Sequence, residues 1–202
     1  MKQQRHDRLR AFQDLLRRYH RTLDLLSPTG LADLPQLVEE ALLYPQVLAR
    51  PIKEGTRWLD LGSGAGLPAL PLAIVRPDLS FTLVERRRRR AAFLNLVRAQ
   101  LALDNVSVVA DDVGSYRPTA SYPVISAQAV GNFSLVYALT RHLQADRVSL
   151  VSRKGPDWRS EVGDLERMVR QRALESRELV LPRHGRLASV TISGGLPCPP
   201  LA

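Results

Sequence analysis

Two acids, three glycines and a run of arginines are the residues of this chain whose types and spacing could do chemistry. Asp60 stands just before Gly62-Ser63-Gly64-Ala65-Gly66-Leu67-Pro68, and Glu85 follows 25 residues after Asp60. Glycine tolerates positive φ and has no Cβ, so a turn built from it can be tight and a ligand can lie against bare backbone. Pro68 falls where a helix should start, a position at which proline costs little. A helix N-terminus behind such a turn offers free N–H groups and a partial positive charge. Trp58 to Leu61 reads as the end of a buried strand. Strand, glycine turn and helix together make the nucleotide crevice of an open α/β sheet.

The spacing narrows the ligand. A dinucleotide fingerprint wants Gly-x-Gly-x-x-Gly, whereas here Gly62, Gly64 and Gly66 alternate and Leu67 holds the sixth place. A phosphate loop would need Gly-Lys-Ser/Thr, which is absent. The acid before the glycines suits a ligand with a cationic amino acid end, and S-adenosylmethionine has an ammonium, a sulfonium, a ribose and an adenine. Asp60, Gly62, Ser63, Gly64, Gly66 and Leu67 are the predicted cofactor contacts; the plainer alternative is an ordinary glycine-rich β–α turn. Glu85 ends the second strand, where an acid can accept hydrogen bonds from both ribose hydroxyls; it could also be a surface acid neutralising the arginines beside it. At the end of the third strand Asp111 and Asp112 could meet the adenine amino group, Asp111 being preferred. Arg86-Arg87-Arg88-Arg89-Arg90 sits on the rim of this crevice. Five adjacent cations at a helix start repel one another and oppose the helix dipole by roughly 0.3–1 kcal/mol each at most. Guanidinium forks bind phosphate, so the run is predicted to contact RNA, against the alternative of a solvated helix start.

The elements that must position these residues follow from periodicity. Leu9, Phe12, Leu16, Tyr19, Leu23 and Leu26 predict a helix over 6–26 with one apolar stripe. Ser27-Pro28-Thr29-Gly30 breaks it, and a second helix is expected over 33–48, kinked or ended at Pro45. Strands are predicted at 57–61, 81–85, 105–110, 123–126 and 147–151, and helices at 67–75, 91–103, 133–143 and 158–173. Residues 178–181 and 188–192 alternate as closing strands. Strand–helix alternation indicates a mostly parallel sheet covered on both faces. The expected fold is α/β: a class I S-adenosylmethionine-dependent methyltransferase, Rossmann-like, with a mostly parallel seven-stranded sheet. Residues 1–50 would form an N-terminal helical cap, 51–193 the core, and 194–202 a disordered tail. Substrate-side residues belong at the end of the fourth strand, Ser126 and Gln128, with Arg153 and Lys154 the nearest cations.

Composition sets outer bounds. The chain has 202 residues, enough for one domain with a real core. No run of 18 apolar residues exists, so no membrane span is expected. The N-terminus leads into a charged helix without an apolar h-region, so no signal peptide is expected and a cytoplasmic location is. The single cysteine, Cys198, excludes a disulfide framework and a cysteine-based zinc site; no metal site is expected. The net charge is +9, and Lys2, Lys53 and Lys154 are the only lysines. Arginine bias of that kind fits a GC-rich coding sequence or a polyanionic partner.

The run Asp60-Leu61-Gly62-Ser63-Gly64-Ala65-Gly66-Leu67-Pro68, followed by Pro71-Leu72-Ala73-Ile74-Val75-Arg76-Pro77 and Phe81-Thr82-Leu83-Val84-Glu85, resembles the bacterial 16S ribosomal RNA guanine-N7 methyltransferase family (RsmG/GidB). Val124-Ile125-Ser126 and Lys154-Gly155 are also family-like, and the resemblance spans roughly 10–193. It implies S-adenosylmethionine along Gly62, Gly64, Gly66 and Glu85, adenine near Asp111 and Asp112, and ribosomal RNA or the small subunit as partner; a monomer is expected. It implies transfer to a guanine N7, whose in-plane lone pair needs no general base. The substrate side departs from the family. The family's Ser-Arg-Ala is Ser126-Ala127-Gln128 here, its Asn-Leu-Thr is Asp24-Leu25-Leu26, and its His-x-x-Asp-Ser is unmatched. A methyltransferase acting on a small molecule or protein, and a non-catalytic RNA-binding relative, are the alternatives these departures leave.

Overall fold

The computed structural model describes residues 2–170, 172–182 and 185–194. Among these residues seven strands form one sheet: β1 (Arg57–Leu61), β2 (Ser80–Val84), β3 (Val106–Val109), β4 (Tyr122–Ala127), β5 (Gln144–Lys154), β6 (Ala173–Val180) and β7 (Arg186–Ser193). Their order is β3-β2-β1-β4-β5-β7-β6. The first five run parallel, and β7 inserts antiparallel between β5 and β6. The chain reverses strand order between β1 and β4, so the crevice above their carboxyl ends is the switch point of a doubly wound sheet.

Two helical layers cover the sheet. On one face lie α1 (Lys2–Leu23), α3 (Leu34–Ala41), α4 (Ala69–Val75) and α5 (Arg88–Gln100), packed on Trp58, Phe81, Leu83, Val124 and Val151. On the other lie α6 (Phe133–Thr140) and α7 (Arg159–Met168), packed on Leu59, Leu61, Ile125 and Leu150. The two core clusters use alternate residues of the same strands, as the period of two requires. Phe12 and Leu16 of α1 are fully buried, so the leading helix shares its core with α4 and α5.

Several boundaries differ from expectation. The predicted helix over 33–48 is broken into pieces. Ser27 caps a short α2 (Pro28–Ala32), its Oγ accepting from Gly30 N at 3.1 Å. Asp33 ends α2, Pro35 sits in the first turn of α3, and Pro45 starts a 3₁₀ turn, Tyr44–Val47. The residues read as a breaker therefore start a helix, because serine before proline is an N-cap signal as well as a turn signal. Pro68 is the N-cap of α4, not its first helical residue. α5 starts at Arg88, so three arginines occupy its first turn. The helix over 133–143 finishes as a 3₁₀ turn, Arg141–Leu143, and α7 stops at Met168, short of 173. β5, β6 and β7 are each longer than predicted, since ladder pairing carries charged and small residues beyond the short apolar runs that announced these strands. The tail beyond Gly194, with Cys198, lies outside the described residues, as do Arg183 and His184 of the β6–β7 connection. Among the described residues no helix is long and apolar enough to cross a membrane.

Candidate active site

One residue before its end, β1 carries an acid that the register places beside a serine. Asp60 pairs with Ser126 across β1 and β4, and both side chains point to the α4 face. Ser126 Oγ donates to Asp60 Oδ1 at 2.6 Å and accepts from Trp58 Nε1 at 2.8 Å. Asp60 Oδ2 has no hydrogen-bond partner among the described residues, although the residue is only 1% exposed. Burial pushes the Asp60 carboxyl up to about 7, against the opposing hydrogen bonds of the serines. An acid poised this way will gain from any cation that reaches Oδ2.

The glycine turn folds back on β2. Gly62 N and Ser63 N both donate to Val84 O, at 2.8 and 3.2 Å. Gly62 adopts φ +68, and a Cβ there would lie 2.9 Å from Val130 Cγ2. Gly66, at φ +83, is constrained from inside: a Cβ would fall 2.3 Å from Leu70 Cδ1. Ser63 turns inward and donates to Asp60 O at 2.9 Å, and Leu67 is buried in the core. Glu85 is 5% exposed and held rigidly. Its Oε2 accepts from Gly64 N at 3.0 Å and its Oε1 from Arg87 N at 2.8 Å. Each oxygen keeps a lone pair for a ligand.

These elements enclose a cavity of about 440 Å³ at the carboxyl ends of β1, β2 and β4, within the roughly 300–1,000 Å³ range of small-molecule sites. Gly62, Glu85, Arg86, Arg87, Arg90, Asp111, Asp112 and Gln128 contribute its polar wall. Of the residues expected there, Asp60, Ser63, Gly64, Gly66 and Leu67 stand behind that wall and shape it. Asp111 Oδ1 accepts from Asp112 N, and Asp112 Oδ1 from Gly114 N at 2.8 Å, so both acids are fixed at the rim and the preference for Asp111 over Asp112 has no geometric support. Sequence reasoning missed the apolar wall of Val113, Val130, Leu135 and Leu139. Leu135 and Leu139 are 44% and 37% exposed, one helical turn apart on α6, and such exposed leucines are a signal only once their face is known. It also missed Ala129, a non-glycine residue at φ +57 beside the cavity, strain of the kind that gathers at sites.

The substrate-side candidates separate. Ser126 is fully buried in the Asp60 network and is not open to a substrate. Gln128 lines the cavity and also a small hollow with Tyr44, Glu40 and Arg153. Arg153 and Lys154 are neighbours on β5, so alternation sends them to opposite faces. Arg153 pairs with buried Glu40 of α3 at 2.8 Å. Lys154 goes the other way and is pinned between Glu161, at 2.8 Å, and Gly131 O, at 2.8 Å, over the Phe133 ring. Its side chain is 8% exposed, which removes it from the substrate side. The arginine run is divided too: Arg86 to Arg89 are exposed, whereas Arg90 reaches back to Leu23 and Asp24 at the end of α1.

With this geometry established, the comparisons with known proteins decide the family. The family described as "GidB: rRNA small subunit methyltransferase G" matches residues 5–184. The chain belongs to this family. Ribosomal RNA small subunit methyltransferase G of Chromobacterium violaceum is 37% identical over 73% of this chain and 69% of its own length. The protein of the same description from Methylobacillus flagellatus is 33% identical over 78% and 75%. Among solved structures, the O-methyltransferase TomG of Streptomyces achromogenes, in complex with S-adenosylmethionine, superposes with a TM-score of 0.58 at 16% identity, over 93% of this chain and 90% of its own. An S-adenosylmethionine-dependent methyltransferase from Aquifex aeolicus gives 0.57 at 16% identity, over 82% and 94%. These two likenesses establish the fold: a class I methyltransferase sheet, as the element order implied.

Proposed function

We propose that this member of the family binds S-adenosylmethionine in the 440 Å³ cavity and methylates N7 of a guanine in 16S ribosomal RNA. The observation that carries the cofactor assignment is the pairing of two acids at adjacent strand ends: Glu85, oriented by two backbone N–H groups, and Asp60, with one buried oxygen left over. The residues fit the ligand. Glu85 would take the ribose hydroxyls on its remaining lone pairs, and Asp60 Oδ2 the ammonium. Gly62 offers bare backbone, and Val113, Val130 and Leu135 an apolar wall for the adenine. When bound, S-adenosylmethionine supplies an electrophilic methyl on a sulfonium.

The chain's own contribution is alignment. Guanine N7 carries an in-plane lone pair, so no side chain has to remove a proton. The buried acids and the apolar wall fix one reactant and exclude water, and holding two reactants in line can supply much of a barrier reduction. Gln128, at the junction of the two hollows, and Arg153 behind it are the substrate-side residues. Arg86 to Arg88 on the rim would meet RNA phosphates. In this reading residues 1–50 are a cap, 51–193 the catalytic core, and the enzyme acts as a cytoplasmic monomer on ribosomal RNA or the small subunit.

A second reading has one specific observation behind it: Ala127, at the end of β4, stands where the resembled family has arginine, and Lys154 cannot stand in for it. A relative that binds RNA without transferring a methyl group would look like this. Methyl transfer from labelled S-adenosylmethionine to unmodified 16S rRNA and to 30S subunits, with nucleoside analysis, separates the two. Labelled 7-methylguanosine is the expected product. A different labelled nucleoside would refute the guanine N7 target. No incorporation, with cofactor binding demonstrated on the same sample, would favour the non-catalytic reading.

A further inference from the structure

The arginine run lines two hollows, not one. A second cleft of about 390 Å³ lies between the C-terminal end of α1 and the first turn of α5, bounded by Thr22, Leu23, Asp24 and Arg87 to Arg90. Arg87 and Arg90 line both this cleft and the cofactor cavity. One wall is therefore the end of a 22-residue helix, where unpaired carbonyls concentrate negative partial charge. Left bare, that wall would repel an anion.

It is not left bare. Arg89 Nη2 donates to Thr22 O at 3.3 Å, and Arg90 Nε to Leu23 O at 3.3 Å. Arg90 Nη2 donates to Asp24 O and to the Asp24 carboxylate. Two of the five arginines are thus committed to the end of α1. The guanidinium groups of Arg86, Arg87 and Arg88 are exposed and make no hydrogen bond or ion pair with the described residues. Arg21, also exposed, adjoins Thr22 on the α1 side. Three adjacent unpaired forks beside a neutralised helix end make a local positive field with no internal partner. Guanidinium forks match phosphate geometry.

We propose that this cleft seats a backbone phosphate of the RNA strand whose base is presented at the mouth of the adjoining cofactor cavity. Arg87 and Arg88 hold the phosphate, and Arg89 and Arg90 make the α1 wall compatible with it. Arg87, common to both hollows, sets the distance between the anchored phosphate and the base. The proposal rests on the RNA reading above and gives that reading a place on the surface.

The test is binding of unmodified 16S rRNA to the full chain saturated with S-adenosylhomocysteine, across 50–300 mM salt as a working range in which phosphate contacts reveal themselves. The wild type is compared with Arg87→Ser, Arg88→Ser and Arg98→Ser, the last an exposed residue at the far end of α5. Arg88→Ser and Arg87→Ser should each reduce the slope of log affinity against log salt by about 1, and Arg98→Ser should leave it unchanged. Wild-type slopes in both Arg87→Ser and Arg88→Ser, or an equal fall in Arg98→Ser, would overturn the cleft while leaving RNA binding intact. A wild type whose affinity is independent of salt would instead overturn the RNA reading itself. Arg90→Ser should lower the thermal midpoint, because it releases the end of α1; an unchanged midpoint would refute the division of the run.

Discussion

Asp60 offers the sharpest prediction, because a single carboxylate is asked to do two opposing things. Burial raises it to about 7, and its Oδ2 has no hydrogen-bond partner among the described residues. Only the ionised form can pair with an ammonium. With a value near 7, about 3% of the free protein is ionised at pH 5.5 and about 75% at pH 7.5, so the apparent affinity for S-adenosylhomocysteine should rise about 25-fold over that interval, on the order of 2 kcal/mol. Asp60→Asn keeps the shape and the bond from Ser126 but cannot ionise, so its affinity should be low and flat with pH. The same shift has the opposite sign for stability. The folded chain holds this proton at pH values where the unfolded chain, at the ordinary carboxylate value of 3.8, has lost it. Stability from Asp60 is thus present below about pH 4 and lost by pH 7, by up to about 4 kcal/mol. At pH 8 Asp60→Asn should therefore melt above the wild type, by several degrees for a chain of this size. Calorimetric titration at pH 5.5, 6.5 and 7.5, with melting curves at pH 5 and 8, reads both effects. A wild-type affinity flat in pH, or the same rise in Asp60→Asn, would refute the reasoning.

Four further substitutions probe the scaffold. Glu85→Gln places an NH₂ against one of two backbone donors, and should cost about 1.5–3 kcal/mol of cofactor affinity, read by the same titration. Gly66→Ala drives a methyl into Leu70 and should destabilise the fold by about 1–3 kcal/mol. Gly64→Ala, at φ +48 with no atom closer than 3.7 Å, should cost only the left-handed strain of about 1–2 kcal/mol; chemical denaturation of the pair would contradict this if Gly64→Ala proved the worse. Asn105 Nδ2 is shared among Ala73 O, Arg76 O and Leu79 O at 3.1–3.2 Å, so Asn105→Ala should lose about 1–3 kcal/mol without changing cofactor affinity.

The sheet was legible because its central strands are buried on both faces and read as continuous apolar runs ended by acids. Asp60 stands one residue before the end of β1 and Glu85 directly after β2. What a linear pattern cannot show is which way a side chain points after two strands are brought into register. Ser126 looked like a residue beside the substrate, yet pairing with Asp60 turns it into the carboxylate's support. Lys154 looked like a spare cation, yet strand alternation puts it under α7's Glu161. The lead-in helices misled for a different reason: Ser27, Pro28 and Pro45 each carry both a stop and a start meaning, and burial of Leu34, Val38 and Tyr44 decided between them. The apolar rim on α6 and the cleft against α1 depend on long-range packing, for which the sequence offers no local signal.

The end of β5 has a mechanical consequence. Arg153 bonds to Glu40 in one helical layer and Lys154 to Glu161 in the other, so two consecutive residues act as a rivet through all three layers of the molecule. Lifting either layer exposes a cation that the strand holds rigidly in place. Fraying at this edge should therefore spread from one face of the sheet to the other, and amide exchange in α3 and α7 should quicken together when either ion pair is cut.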